Sequence, residues 1–451
     1  MSSFSSLGIG VSALTAAQRA VETAAHNVAN AGTAGYTRQR LAVQTATPTP
    51  GTAGLRGDGM RGTGVTVVSI ERLRDRLADV SFRSETGVEA AASARAEGLS
   101  RTESVLGPYG SGTPEALTRF LGAWDGLSLN PSDGAARSTV LSTGEGLADS
   151  VRASAEGLDA VSAELTTRVD DNLGELNGLL SHVVELNKTV KRAEIGGSEP
   201  NDLLDERDTA LDRIVALTGA TVSLDDAGMP QVHLGGVPLV AGGTAAKLQR
   251  TGTGDTVQLQ TADGTALAPG GLLGGYLSVV KSDIPELSQQ LDGLANALRT
   301  RVNDLHAQST DLNGEAGAEM FTGTGAHDLR LGNLTESQVA ASRTGKVADG
   351  EGALAMSALR TEPLVGSQPL GAAMRAFAAK VGQSVTDATR NATTAKSGLD
   401  AAALTRASSN GVNVDEEMVD LVKYQHAYSA ASRVITVVDE MLDKIINGMG
   451  H

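Results

Sequence analysis

Two apolar stripes at opposite ends of the chain constrain its fold more than any other feature. Near the N-terminus Leu7, Leu14, Val21 and Val28 recur every seven residues, with Phe4, Val11, Gln18 and Ala25 between them. That period is the mark of a helix with one side-chain seam, interrupted here only by Gln18. Near the C-terminus Leu421, Tyr424, Tyr428, Ala431, Ile435, Val438, Leu442 and Ile445 alternate spacings of three and four without a break. A single amphipathic stripe packs inside its own globular domain. Two short stripes at the two ends predict that the helices pair with each other or with neighbouring subunits. The candidate assembly residues are therefore Leu7, Val11, Leu14, Val21, Ala25 and Val28 at one end and the eight residues Leu421 to Ile445 at the other. The isolated pair of end helices is marginal, because ordering about 50 residues costs more backbone entropy than the two stripes regain by burial, so both ends are expected to be mobile in the free monomer and to order when neighbours cover them.

The segment Asn410-Gly-Val-Asn-Val-Asp-Glu-Glu417 opens the C-terminal helix. Asn413, Asp415, Glu416 and Glu417 fall in or near its first turn, where unpaired amides and the helix dipole favour them, so they read as a helix cap. A metal site would need further ligands, and no His or Cys stands close by.

Between the stripes the pattern changes twice. From about Val88 to Thr218 it is helical, with breaks at Gly107-Pro108, Asn130-Pro131 and Gly196 to Pro200. Leu158, Leu165, Leu173, Leu176, Leu180, Val183, Leu186 and Val190 predict one long helix. The next helix carries Leu203, Leu204, Leu211, Ile214 and Leu217 on an apolar face, and its cluster Asp205, Glu206, Arg207 and Asp208 reads as a solvated, mutually paired face. Short alternating runs such as Gln231-Val-His-Leu234 and Val257-Gln-Leu-Gln-Thr261 then predict a small β-rich insert. Helical patterning resumes from about Ile284 to Gln308.

At 451 residues the chain is too long for one ordinary core. Its 37 basic and 53 acidic residues, net charge -16, argue against a polyanionic partner such as nucleic acid. Cysteine is absent, which removes disulfides, thiolate metal sites and cysteine nucleophiles. Aromatics are only 2% of the chain, which fits slim helical bundles better than an aromatic-lined pocket. The first 30 residues show no basic n-region, unbroken apolar run or clear cleavage site, and no stretch is apolar enough to span a membrane, so neither a Sec-type signal peptide nor membrane insertion is expected.

Motifs for catalysis are missing. His26, His182, His233, His306, His327, His426 and His451 are scattered without metal-ligand spacing. No GxSxG elbow is present. Gly62-Thr-Gly64 leads into an apparent strand, Val65 to Ile70, whereas a phosphate cradle opens a helix. Asp311-Leu-Asn-Gly-Glu315 has only part of a calcium loop and reads as a turn. No enzyme activity, cofactor or metal is expected.

His26-Asn-Val-Ala-Asn-Ala-Gly-Thr-Ala-Gly-Tyr-Thr-Arg-Gln39 resembles the signature of the flagellar rod, hook and hook-associated axial protein family. The matching positions are Asn27, Asn30, Gly35, Tyr36, Thr37, Arg38 and Gln39, and the ending Gly35 to Gln39 points to the hook-filament junction members. Four further segments agree in order: Asn130 to Arg137, Asn201 to Asp208, Asp311 to Gly317 with Met320-Phe321, and Ser409 to Glu417. His26 and Gly32 stand where the family commonly has Asn, and Ala34 where it has Pro.

The resemblance implies a mainly α, multidomain axial protein with a β-rich insert. Its parts would be an inner tube of N- and C-terminal coiled-coil segments (1–36 and 406–451), a helical-bundle domain in two parts (37–218 and 279–405), and a small outer β domain (219–278). It implies self-assembly into a ring, contact with hook protein and an FlgL-type junction protein, and export without a cleaved signal by the flagellar type III apparatus. An FlgN-type chaperone would shield Leu421 to Ile445 in the cytoplasm before export to the extracellular flagellum. The expected function is a structural link between hook and filament. Alternatives are another axial protein, hook or distal rod, and a secreted hydrolase using carboxylates near Asp205 or Asp415.

Overall fold

The computed structural model describes residues 2–48, 62–107 and 112–448. Pro108, His451 and the side chains of Phe4 and Ile445 lie outside the described residues. Helix α1 (Ser2–Asn30) and helix α10 (Val414–Gly448) lie side by side. On α10 the inward face follows the three-four seam: Ala431 and Val438 are buried, Leu421, Tyr424, Ile435 and Leu442 are half-buried, and Tyr428 is exposed. The buried face of α1 instead consists of small residues, Gly10, Ala17, Ala20, Thr23 and Ala24, continued by Asn27. A Cβ on Gly10 would stand 3.0 Å from Ile435 Cγ1. The helices approach through this stripe because small side chains let the backbones come close. Leu7, Leu14, Val21 and Val28 flank it half-buried, while Val11 and Ala25 face solvent.

After α1 the chain forms an antiparallel hairpin, β1 (Gln39–Thr45) with β2 (Val65–Arg72), and enters the helical body. This consists of α2 (Arg76–Leu106), α3 (Thr113–Leu129), α4 (Gly134–Ile195), α5 (Asn201–Thr218), α6 (Gly271–Ser278), α7 (Ile284–Ala307), α8 (Glu351–Ser357) and α9 (Leu370–Asn410). Helix α4 spans 62 residues and buries Leu158, Leu165, Leu173, Leu176, Leu180 and Val183, the line of leucines that predicted it. Each such side chain removed from water contributes about 2 kcal/mol. Aromatic rings gather at one place: Phe120 meets Trp124 and Phe321 edge-on, and Trp124 meets His306.

The segment Asn130 to Arg137 shows why its residues are needed. Asp133 caps α4 by accepting from the Ala135 amide at 2.9 Å. Arg137, only 2% exposed, donates to the carbonyls of Pro131, Glu336 and Val339 and so pins a distant loop to the start of α4.

The β-rich insert forms a four-stranded sheet, β3 (Thr221–Leu224), β4 (Pro230–Leu234), β5 (Val237–Ala241) and β6 (Thr244–Ala245). A three-stranded sheet, β7 (Leu248–Thr251), β8 (Gln258–Thr261) and β9 (Ala266–Leu267), follows. Both rest along α4: Asn177 exchanges two hydrogen bonds with the Leu248 backbone, each 2.9 Å, and Arg250 makes a bidentate pair with Asp170. Val232, Leu239, Leu248 and Leu259 share one core with Leu173, Leu176 and Leu180. No helix among the described residues is long and apolar enough to cross a membrane.

Candidate functional site

The signature turn that ends α1 sits where the chain ends meet the helical body, and every polar group of Asn27 is used there. Its Nδ2 donates to the Gln39 carbonyl at 2.8 Å and to Glu417 Oε2 at 2.9 Å. Its Oδ1 accepts from the Gln39 amide at 2.9 Å and the Tyr36 hydroxyl at 2.8 Å. An amide side chain has two donors and two acceptor sites, so Asn27 is saturated while only 1% exposed. It joins α1, the start of β1 and the start of α10.

The residues from Tyr36 to Gln39 each have a partner. Gly35 takes φ +83°, and a Cβ there would lie 2.3 Å from Thr209 Oγ1, so both backbone and space call for glycine. Tyr36 stacks edge-on with His26 at 5.5 Å. Burial, then the carboxylates of Asp202, Asp205 and Glu417, push its hydroxyl pKa far up, so it remains a donor. The Thr37 amide donates to Asp205 Oδ2 at 2.9 Å. Arg38 donates through Nε to Glu417 Oε1 at 2.6 Å and through Nη1 to Glu416 Oε2 at 3.1 Å, and its amide donates to the Asn410 carbonyl. Gln39 meets Asp202 and Asn201 with its side chain. Asn30 donates back to the His26 carbonyl at 3.0 Å and closes the last turn of α1.

At the start of α10 the Asn413 side chain accepts from the Asp415 amide at 3.0 Å. Glu417, 3% exposed, does more than sit in the first turn: it is the anionic partner of Arg38 and Asn27. Asp415 reaches neither.

The run from Asp205 to Asp208 corrects the sequence expectation of a solvated face. Asp205 and Arg207 are 6% and 7% exposed, and only Glu206 faces water. Asp205 takes Thr37 on one oxygen and Arg72 on the other at 2.8 Å. Both oxygens of this carboxylate are engaged, one by the signature turn and the other by β2. Arg207 bonds Asn187, and burial, with Arg72 and other nearby arginines, lowers its guanidinium to about 10. Among the described residues no group of three or more His, Asp or Glu could hold a metal ion.

Sequence reasoning missed Asp202, Asp205, Arg72 and Asn410 as partners of the signature turn. The segments of Asp202, Asp205 and Asn410 were noticed as motifs and Arg72 was not, and nothing local says that the first three, each more than a hundred positions away, converge on the turn. A groove of about 650 Å³ lies beside the turn, lined by His26, Tyr36, His182, Asp202, Glu206 and Arg213.

Comparison with known proteins places this geometry in context. Residues 99–321 match a family model described as the flagellar hook-associated protein FlgK helical domain. Residues 406–448 match one for the C-terminal part of the flagellar basal body rod FlgEFG proteins, and residues 7–37 one for flagella basal body rod protein. Flagellar hook-associated protein 1 of Bacillus subtilis (strain 168) is 29% identical over 511 residues, covering 100% of this chain and 99% of that protein. Its counterpart in Escherichia coli (strain K12) is 29% identical over 325 residues, 69% of this chain and 58% of that one. The structure of the flagellar hook junction protein FlgK from Burkholderia pseudomallei superposes with a TM-score of 0.67 at 14% identity, covering 72% of this chain and 99% of that chain, and shows the shared fold.

Proposed function

We propose, from the premise that this chain belongs to the FlgK family of flagellar hook-associated proteins, how its parts serve a structural junction between flagellar hook and filament. The chain is a component of the bacterial flagellum, in a family whose role is structural. Matches at the two ends are to basal body rod models, whereas the middle matches the FlgK helical domain, which favours the junction reading over hook and distal rod proteins.

In this reading residues 1–36 and 406–451 form the inner tube of a ring of identical subunits. Residues 37–218 and 279–405 form the helical domain around it, and residues 219–278 form the outer β domain. Helices α1 and α10 bury one face against each other and leave another apolar on each: Val11 on α1, and Met418, Val422, Val434, Val437 and Met441 on α10 are exposed. Exposed apolar stripes of this kind mark association surfaces. Neighbouring copies cover them in the tube, hook protein below and an FlgL-type protein above complete it, and an FlgN-type chaperone covers Leu421 to Ile445 before type III export to the extracellular organelle. The observation that carries this reading is the joint itself: Asn27, Arg38 and Glu417 bring both chain ends to one point on the helical body.

Purified chain added to isolated hooks and imaged with an antibody label tests it. Label confined to the distal hook end, and lost when residues 421–445 are removed, is the expected result. Label along the hook shaft, or none with the intact chain, contradicts it.

A further inference from the structure

Beyond the signature turn, three arginines and three aspartates close into a circuit. Arg74 joins Asp79, at 2.7 Å, to Asp208. Arg83 joins Asp208, at 3.3 Å, to Asp212, at 2.6 Å. Arg406 joins Asp212, at 2.6 Å, back to Asp79, at 2.9 Å. Each guanidinium bridges two carboxylates and each carboxylate two guanidiniums, so the charges alternate and cancel around the ring. The side chains are 8% to 18% exposed, so water screens them weakly.

The circuit gathers four pieces of chain. Arg74 lies on the entry from β2, Asp79 and Arg83 on the first turns of α2, Asp208 and Asp212 one turn apart on α5, and Arg406 near the C-terminal end of α9. Two appendages tie it to the chain ends. On the N-terminal side Arg72 bonds both Asp208 and Asp205, and Asp205 holds the Thr37 amide. On the C-terminal side Asn410 accepts from the Asp75 amide at 3.1 Å and donates to Asp79 Oδ1 at 3.3 Å, while its carbonyl accepts from the Arg38 amide. Arg406 also lies over the Phe82 ring at 4.4 Å.

We propose that this Arg-Asp circuit is a two-ended conformational lock, through which the N-terminal entry (residues 37–45 and 65–75) and the C-terminal return (residues 406–417) order together. Opening any one link leaves its two neighbours with unbalanced charge at a poorly hydrated site, so the links open as a set rather than singly. Release of the C-terminal return removes Arg406, unbalances Asp79 and Asp212, and loosens the N-terminal entry through Asp208 and Arg72. A subunit that joins a tube with both ends needs both presented at once. That benefit rests on the junction reading; the coupling itself does not.

Amide exchange on the full chain by mass spectrometry reads the coupling without any assembly step. In Arg406→Gln, altered only on the C-terminal side, exchange in residues 65–72 and in residues 414–430 is expected to speed up together, each about tenfold or more. Residues 173–190 of α4 serve as the check that the body is folded. Arg250→Gln, which breaks the pair with Asp170 outside the circuit, leaves both segments at their original rates. Faster exchange in only one of the two segments, or in neither, overturns the proposal. Should Arg406→Gln fail to fold, Arg406→Lys decides the matter: it keeps the charge but not the fork that bridges Asp79 and Asp212, so both segments speed up in step, and separate responses or none refute the lock. Failure of ring assembly with coupled exchange intact would count against the junction reading alone.

Discussion

Asn27 and Glu417 stand 390 positions apart in the chain and meet through a hydrogen bond of 2.9 Å. One carboxamide, at 1% exposure, holds the end of α1, the first residue of β1 and the first turn of α10. The two ends are therefore joined by direct polar contacts at the helical body as well as by the packing of their helices.

Replacing Asn27 with Ala removes four hydrogen bonds and leaves Gln39, Tyr36 and Glu417 with unmet groups. The joint is expected to lose about 2 to 4 kcal/mol, read as faster amide exchange in residues 37–45 and 414–417. Asn27→Asp should be at least as damaging, because it sets a second carboxylate against Glu417. An Asp variant with unaltered exchange would contradict the bonding described.

Gly35→Ala meets two separate obstacles, a left-handed backbone at φ +83° and a Cβ 2.3 Å from Thr209 Oγ1. Adding Thr209→Ala takes away the second but keeps the first. The double variant should recover part of the lost thermal stability and remain about 1 kcal/mol below the parent. Full recovery, or none, would show that only one obstacle operates.

His306 Nε2 accepts from the Ala340 amide at 2.9 Å while Nδ1 faces the Ala318 carbonyl, an arrangement that fits the neutral ring. Burial lowers its pKa below 6.5, against the opposing pull of the Ala318 carbonyl and Asp311. With the folded value below the unfolded one, the unfolded chain takes up the proton first as pH falls. The contribution of His306 is complete above about pH 6.5 and is lost as pH falls through the folded value. The urea midpoint should drop between about pH 7 and pH 5, and His306→Gln, about 1 to 3 kcal/mol weaker at pH 7, should show a shallower drop. Equal slopes would remove His306 from the account.

Ala20 faces inward on α1 and Val11 outward. Ala20→Leu is expected to force α1 and α10 apart, at about 1 to 3 kcal/mol, visible as faster exchange along both helices. Val11→Ser should leave exchange in the free chain unaltered and weaken subunit association, measured by sedimentation. The reverse pattern would mean that the two faces of α1 have been exchanged.

What the sequence disclosed depended on whether a signal was local. The leucine line of α4 and the three-four spacing of α10 are local, and both mark faces that the structure buries or half-buries apart from the exposed Tyr428. On α1 the larger side chains Leu7, Leu14, Val21 and Val28 drew attention, yet the buried stripe is Gly10, Ala17, Ala20 and Ala24. Close helix approach selects small residues, and apolar periodicity weights large ones. Asp205 and Arg207 looked solvated because their neighbours in sequence are charged. Their burial follows from Thr37, Arg72 and Asn187, which no short window contains. The alternating runs of the insert announced strands; that these rest on α4 depends on Asn177, an ordinary polar residue of a long helix.

The central claim, a structural link between hook and filament, is tested most directly in cells lacking this gene. Electron microscopy of the cell surface is combined with an assay of the medium for unpolymerised flagellin. Hooks that end bare, with flagellin shed into the medium and filaments restored by the intact gene but not by one lacking residues 421–445, are the predicted result. Normal filaments on the deletion strain would contradict the claim, and loss of the hooks themselves would move the protein to an earlier part of the axis.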